Sequence, residues 1–143
     1  MGVLEVKMAN EKILGMGFHH VALRTTCLEK SLDFYKGLGM KEIVRWGEGT
    51  LEIVMLDIGD GGRLELFANR GVDYPAEGRW QHFAVCAEDV EAAYSLALRL
   101  GAKSHTPPKI VPLDDARPGP IAIQVAFVAG PDGELLEFFK QVK

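Results

Sequence analysis

Two histidines and two glutamates occupy equivalent positions in a chain that is partly duplicated. The stretch that begins at His20, HVALRTTCLEKSLDFYKGLGMK, matches one that begins at His82, HFAVCAEDVEAAYSLALRLGAK. A second pair of stretches, DGGRLELF and DGELLEFF, superposes Glu65 on Glu137. Mixed imidazole and carboxylate ligands suit Ni, Zn, Co, Mn or Fe(II), and coordination positions left open would admit a substrate. The duplication therefore predicts one divalent metal ion at a site made from these four residues.

Each of the four residues also has a simpler structural interpretation. A lone histidine in a strand is usually a hydrogen-bonded structural residue, and a glutamate among alternating apolar residues usually lies on a solvated face. Their occurrence at matched positions of a repeat favours the metal site. Among other candidates, we expect His19 to pack or hydrogen-bond, His105 to be exposed, and Cys86 to be a small buried thiol near the site. A nucleophilic cysteine would need a base that the spacing does not identify.

Hydrophobic patterns predict the same order of elements, β-α-β-β-β, in both halves of an α+β protein. Apolar and β-branched runs predict the strands, and apolar residues three and four apart predict the helices. The first helix carries the stripe Leu28, Leu32, Tyr35 and Leu38. The predicted strands are 18–24, 41–46, 51–58, 63–68, 80–86, one starting at 103, 121–128 and 134–140. One predicted helix begins after residue 26, and the other covers 90–100.

Alternation of side chains along the strands predicts which residues share the site. Residues two apart face the same way, which places His20 with Phe18 on one face of the first strand. If the halves pack about a pseudo-twofold axis, His20, His82, Glu65 and Glu137 converge in one cleft. The opposite faces, which we expect to lie under the helices, carry His19, Val21, Leu23, Leu66, Phe83, Val85, Leu136 and Phe138.

The two halves differ in length in one place. The shift between matching segments grows from 62 to 72 residues, and the excess falls in 107–120, which holds five of the seven prolines. We expect this segment to be a long loop, either a lid that selects the substrate or a stiff surface connection. The resulting division is a 1–16 extension, a first module 17–78 and a second module 79–143.

Composition excludes several classes of function. A net charge of -4 gives no electrostatic footprint for nucleic acid or an anionic membrane. Two cysteines are too few for a disulfide framework, which fits a reducing cytoplasm. No apolar run approaches the roughly 20 residues that span a bilayer, and charges in 1–16 break any signal-peptide core. We expect a cytoplasmic protein whose partner is a small molecule.

The tandem pattern, the opening HVALRTTCLEKSLDFYKGLGM and the closing GPDGELLEFF resemble the vicinal oxygen chelate superfamily over about residues 17 to 141. This superfamily includes glyoxalase I, methylmalonyl-CoA epimerase, fosfomycin-modifying enzymes, extradiol dioxygenases and bleomycin-binding proteins. The resemblance implies a curved mixed β-sheet cleft, with metal ligands at His20, Glu65, His82 and Glu137. It also implies a homodimer, because members of the superfamily often pair in this way. That ligand set is similar to the one in bacterial glyoxalase I. Arg24 and Asn69 match positions that hold the glutathione γ-glutamyl carboxylate in glyoxalases.

The resemblance also implies a mechanism, in which the metal stabilises an enediolate or enolate formed from a small oxygenated substrate. Glu137 would be the catalytic base that moves the proton, with Glu65 as the alternative. Lactoylglutathione lyase is the most specific expectation. The alternatives are a non-catalytic protein that binds a small molecule or antibiotic, a methylmalonyl-CoA-epimerase-like enzyme and a dioxygenase-like enzyme. In the superfamily, epimerases typically have Gln at the position of Glu65, and dioxygenases use only two His and one Glu.

Overall fold

The computed structural model describes residues 9–37, 39–130 and 133–143, which form eight strands, two α-helices and two single-turn 3₁₀ helices, Gly49–Leu51 and Ala76–Arg79. Expectations for Leu38, Asp132 and the first eight residues of the extension lie outside the described residues. The order of elements is the predicted β-α-β-β-β in each half. The strands are β1 (Gly17–Arg24), β2 (Lys41–Trp46), β3 (Ile53–Asp57), β4 (Arg63–Phe67), β5 (Trp80–Cys86), β6 (Lys103–Leu113), β7 (Ile121–Ala129) and β8 (Leu135–Gln141), and the helices are α1 (Leu28–Gly37) and α2 (Val90–Arg99).

All eight strands belong to one mixed sheet in the order β2-β3-β4-β1-β5-β8-β7-β6. The first strand of each half pairs in parallel with the last strand of that half, and β1 and β5 join the halves as antiparallel neighbours. The two parallel pairs have equivalent registers, with Ala22 opposite Glu65 and Ala84 opposite Glu137. The sheet curls into a half-barrel, so the predicted α+β class with a curved mixed sheet is confirmed.

Apolar side chains cover both faces of the curled sheet. One cluster on the convex face packs α1 against β3 and β4, and a second packs α2 against β5, β7 and β8. Val21, Leu23, Leu66, Val85, Leu136 and Phe138 belong to these helix-side clusters, as expected from alternation. A third cluster lies on the concave face and is made of Val44, Met55, Leu113, Ala116, Ile123, Val125 and Phe139.

The predicted faces of His19 and Phe18 are wrong, because β1 carries a bulge. In the pairing of β1 with β5, the register shifts between Phe18 and His20, so that His19 is the extra residue. A bulge interrupts alternation and re-aims the side chains on either side of it. His19 consequently turns into the concave side and stacks on Phe139, with ring centroids 4.0 Å apart. Phe18 leaves the site and stacks on Phe83, and both rings are half exposed. Phe83 keeps its predicted face but belongs to neither helix-side cluster.

The expected loop over 107–120 is also wrong in its first half, where β6 continues to Leu113. Proline lacks the N–H that an inner strand needs, but β6 is an edge strand that pairs only with β7. The ladder is irregular between Thr106 and Lys109, which accommodates Pro107 and Pro108. The loop that remains, 114–120, crosses to the other edge of the sheet.

Loop 114–120 is fastened to β2 in the other half of the chain. Arg45 and Arg117 exchange backbone hydrogen bonds, with N–O distances of 3.1 and 2.8 Å. The Asp115 carboxylate accepts a hydrogen bond of 2.7 Å from the backbone N–H of Gly47. We refer to these contacts together as the clasp. The clasp makes the loop a wall that closes one end of the concave side.

The described part of the predicted N-terminal extension contacts the second half. Ile13 and Met16 pack against the cluster under α2, and the backbone oxygen of Leu14 accepts a hydrogen bond from Glu88 N–H. The division into 1–16, 17–78 and 79–143 stays a prediction. Neither helix in the described ranges has the length and apolar character needed to cross a membrane.

Candidate metal centre

The two histidines and two glutamates predicted from the repeat meet on the concave face within a single chain. Each comes from a different one of the four central strands, β1, β4, β5 and β8, which the sheet order places side by side. All four are buried, with exposures of 1% for His20, 6% for Glu65, 9% for His82 and 4% for Glu137. Burial of four polar side chains is costly unless they satisfy one another or hold a ligand.

The donor atoms of the four side chains converge on one point. The Nε2 atoms of His20 and His82 are 2.9 Å apart. Glu137 Oε1 lies 3.1 Å from the first and 3.0 Å from the second. Glu65 Oε1 lies 3.4 Å from both. The ligand atoms of His20, Glu65 and His82 all lie within 4.8 Å of one another, and Glu137 contacts both imidazoles of this group.

This donor set fits a divalent metal ion in spacing and in chemistry. For bonds of about 2.1 Å, neighbouring ligand atoms are separated by about 3.0 Å at right angles and about 3.4 Å at tetrahedral angles. The observed separations of 2.9 to 3.4 Å cover this interval. In addition, Glu65 Oε1 is buried, and its contacts with the two imidazoles are long, at 3.4 Å. Two imidazoles and two carboxylates are suitable ligands for Ni, Zn, Co, Mn or Fe.

The four side chains influence one another's ionisation. Burial opposes the charged form of His20, but hydrogen bonds to Glu137 and Glu65 outweigh it and raise the pKa to about 9. The same two carboxylates raise the pKa of His82 against the effect of burial. Burial would raise the pKa of Glu65, yet the hydrogen bonds to His20 and His82 lower it to about 2. Protons therefore compete with any cation for the two imidazoles.

Both histidines are oriented through their second ring nitrogen. His20 Nδ1 lies 2.7 Å from His19 Nδ1, and His82 Nδ1 lies 3.1 Å from Gln81 Oε1. Such contacts fix the ring and leave Nε2 as the ligand atom. Gln81 was not among the candidates from the sequence, and alternation gives no signal for it because it adjoins His82.

His19 connects the centre to a positive charge. Its Nε2 lies 3.1 Å from Nη1 of Arg63. Burial, followed by the charges of His20 and Arg63, lowers the pKa of His19 to about 3, so the ring is neutral at physiological pH. Arg63 was also missed from the sequence, although it lies two residues before Glu65 and alternation places both on one face.

Arg24 and Asn69, the residues matched to glutathione binding, line one hollow of about 200 Å³ at the opposite end of the site from Arg63. Arg24 donates a hydrogen bond of 2.8 Å to the oxygen of Gly78 and stacks 4.2 Å from the Tyr74 ring centroid. Asn69 donates to the oxygen of Thr26 and accepts from Gly71 N–H. Their contacts are thus with the chain itself, and a role in substrate binding stays a prediction.

The remaining candidates lie at the margin of the centre. Cys86 is half-buried beside His19, and burial raises the pKa of its thiol. A protonated thiol fits the structural role expected from the sequence. His105 is exposed, as expected.

The chain is similar to known proteins over most of its length. Residues 17–138 match the family model described as the Glyoxalase/Bleomycin resistance protein/Dioxygenase superfamily. A lactoylglutathione lyase of Neisseria meningitidis is 33% identical over 132 residues, which cover 85% of this chain and 88% of that protein. The uncharacterized protein YwbC of Bacillus subtilis is 28% identical over 127 residues, covering 85% of this chain and 95% of that one.

Among solved structures, methylmalonyl-CoA epimerase from Mycobacterium tuberculosis is similar, with a TM-score of 0.66 and 16% identity. The similarity covers 96% of this chain and 94% of that chain and concerns the fold alone. The family match extends over both halves and includes all four residues of the centre. The chain belongs to the glyoxalase/bleomycin resistance protein/dioxygenase superfamily.

Proposed function

We propose that the protein is a metal-dependent, glyoxalase-like lyase or isomerase that acts on a small oxygenated substrate, with lactoylglutathione lyase as the most specific form. The observation that carries this proposal is the set of two imidazoles and two carboxylates within 2.9 to 3.4 Å of one another in one chain. Relatives named lactoylglutathione lyase support the reaction class. Because one chain supplies all four groups, a partner subunit is not needed to complete the set, and the expected homodimer stays a prediction.

In this proposal His20, Glu65, His82 and Glu137 hold the divalent metal. When bound, the ion supplies Lewis-acid polarisation of two neighbouring oxygens of the substrate. The two imidazoles are its fixed supports, because His19 and Gln81 hold their second nitrogens. Each carboxylate contacts both imidazoles, Glu137 at 3.0 to 3.1 Å and Glu65 at 3.4 Å.

Glu137 is the proposed base that takes the proton from the substrate carbon and returns it to the neighbouring atom. Its Oε1 contacts both imidazoles, and the residue is buried beside the apolar concave cluster. A carboxylate in a site that excludes water becomes a stronger base when its positive partners are withdrawn. Glu65 is the alternative base, since its Oε1 also lies near both imidazoles, at 3.4 Å.

A non-catalytic protein that binds a small molecule is the second candidate function. It is favoured by one observation, an apolar cavity of about 320 Å³ beside the centre, since binding proteins need such a volume as much as enzymes do. Epimerase-like and dioxygenase-like reactions use the same cleft and are distinguished by their substrates.

The test is a substrate panel on protein purified without a metal-affinity tag and loaded in turn with Ni, Zn, Co, Mn or Fe(II). Hemithioacetals of methylglyoxal with several thiols, an acyl-CoA epimer and catechols cover the three reaction types. We expect turnover of a hemithioacetal, and a loss of at least about 100-fold in kcat for Glu137→Gln with metal content unchanged.

Glu29→Gln is the matched control, because Glu29 is exposed on α1. Metal binding without turnover of any hemithioacetal would overturn the lyase proposal and favour the binding protein. Turnover of only the epimer or only a catechol would assign the other reaction class.

A further inference from the structure

The cavity beside the centre combines apolar walls with a single charged residue. It has a volume of about 320 Å³ and lies between β2 and β3 on one side and β7 and loop 114–120 on the other. Its apolar lining includes Ile43, Trp46, Met55, Leu113, Ile121 and Phe139, and the charged residue is Arg63. A cavity of this size and character is suited to a small ligand that is mostly apolar.

The guanidinium of Arg63 lacks a negative partner. No carboxylate of the described residues lies within 4.0 Å of it. Its Nε is buried and makes no hydrogen bond within that part of the chain, and its contact of 3.1 Å from Nη1 is to His19. A half-buried cation without a counter-ion costs free energy unless a bound anion compensates for it.

The hydrogen bonds of His19 indicate where that anion would lie. A neutral imidazole has one ring hydrogen for its two nitrogens. When His20 uses Nε2 as a ligand atom, its Nδ1 keeps a hydrogen and donates it to His19 Nδ1. The hydrogen of His19 is then on Nε2, so that two donors, His19 Nε2–H and Arg63 Nη1–H, face each other. An oxygen anion placed against both would accept from both.

We propose that Arg63, with His19, binds the carboxylate of the substrate, and that the substrate is a small carboxylate whose apolar part fills the cavity. The inference rests on the proposed function and names the class of substrate. Arg63 and Glu65 are two residues apart on the same face, about 7 Å along β4, so one molecule of several atoms can reach Arg63 and the metal centre together. The charged end of the substrate then lies at the end of the site that is farther from Arg24.

The experiment measures equilibrium binding by calorimetry, using hexanoate and its neutral isostere hexanamide as probes. Metal-loaded and chelator-treated protein are both titrated. We expect hexanoate to bind at least about tenfold more tightly than hexanamide in both forms, because the hydrogen bonds to Arg63 are charge-assisted. Arg63→Gln should remove this preference, Arg63→Lys should keep part of it, and Arg99→Gln, on the exposed end of α2, should leave it unchanged.

Equal binding of the two probes would overturn the proposal. So would a preference for hexanoate that survives in Arg63→Gln, that disappears in Arg24→Gln instead, or that exists only with metal present. If Arg63→Gln does not fold, Ile121→Trp tests the same cavity: hexanoate binding should be lost while metal content is retained. The binding assay needs no turnover, so it can be interpreted even if the lyase proposal fails. If hexanoate shows no preference but a hemithioacetal is turned over, only the proposed substrate class is overturned.

Discussion

The Nε2 atoms of His20 and His82 lie 2.9 Å apart, although 62 residues separate the two histidines in the chain. The antiparallel pairing of β1 with β5 brings them together, because it joins the two halves of the repeat along their matching strands. Each half also contributes one carboxylate from the strand that pairs in parallel beside it. The centre therefore lies where the two halves meet, and it depends equally on both of them.

Loss of either imidazole should weaken metal binding strongly. We expect His20→Ala or His82→Ala to lower metal affinity by at least about 100-fold, since each removes one direct donor and one of the two imidazoles that each buried carboxylate contacts. Metal content after dialysis against a trace concentration of each ion measures the effect. His105→Ala, an exposed histidine outside the centre, is the control. Retention of metal by both centre variants would show that the ion binds elsewhere.

Residues that orient the imidazoles should affect metal affinity less than the ligands do, but by a measurable amount. Gln81→Leu removes the hydrogen bond to His82 Nδ1, and we expect metal affinity to fall about 10- to 100-fold. Gln124→Leu, a half-buried glutamine on β7, controls for the loss of an amide elsewhere in the sheet. Equal affinity in Gln81→Leu and wild-type protein would remove Gln81 from the site.

The parts of the site that were predictable are those that follow from the repeat and from alternation. Matched positions and faces were enough to bring His20 and Glu137 into one cleft. The orientation of His19 was not predictable, because one extra residue in β1 reverses its face and a bulge has no signature in a strand of this composition. The strand through Pro107 was not predictable either. A strand tolerates proline when it lies at the edge of a sheet, and the position of β6 at the edge is a property of the assembled sheet.

The pKa shifts predict a stability maximum near pH 6.5 for chelator-treated protein. The pKa of His20 is raised from 6.5 to about 9, so its contribution is complete below pH 6.5 and is lost as the pH rises through 9, on the order of 3 kcal/mol. The pKa of His19 is lowered to about 3, so below pH 6.5 this histidine binds a proton in the unfolded chain but not in the folded one. Stability therefore falls as the pH drops below 6.5. The lowered pKa of Glu65 adds a loss below pH 4.5.

Thermal melts between pH 4 and pH 9.5 would measure this dependence. His19→Gln should flatten the acid side of the curve, whereas His105→Gln should not. Saturating metal should reduce the alkaline loss, because the imidazoles then hold the ion in place of protons. An acid side that is unchanged in His19→Gln would contradict the assignment of that limb to His19.

Gly47 belongs to the clasp and has a backbone conformation that glycine adopts far more readily than other residues. This residue has φ of +79°, its N–H donates to Asp115, and its oxygen accepts from Arg117. A Cβ added here would overlap the backbone carbonyl of Leu51, whereas one added at Gly49, with φ of +58°, would meet nothing within 4 Å. Both substitutions to alanine place a side chain in the left-handed region, at a cost of about 1 kcal/mol.

Gly47→Ala should therefore destabilise the protein by about 2 kcal/mol more than Gly49→Ala, because only the first must also displace backbone atoms. Urea unfolding of the two variants measures the difference. Gly47 itself holds loop 114–120 through Asp115 and Arg117, so a shift of its backbone should also lower hexanoate affinity, which Gly49→Ala should leave unchanged. Equal stability of the two variants would show that the turn relaxes without strain, and equal affinity would show that the cavity wall does not depend on the clasp.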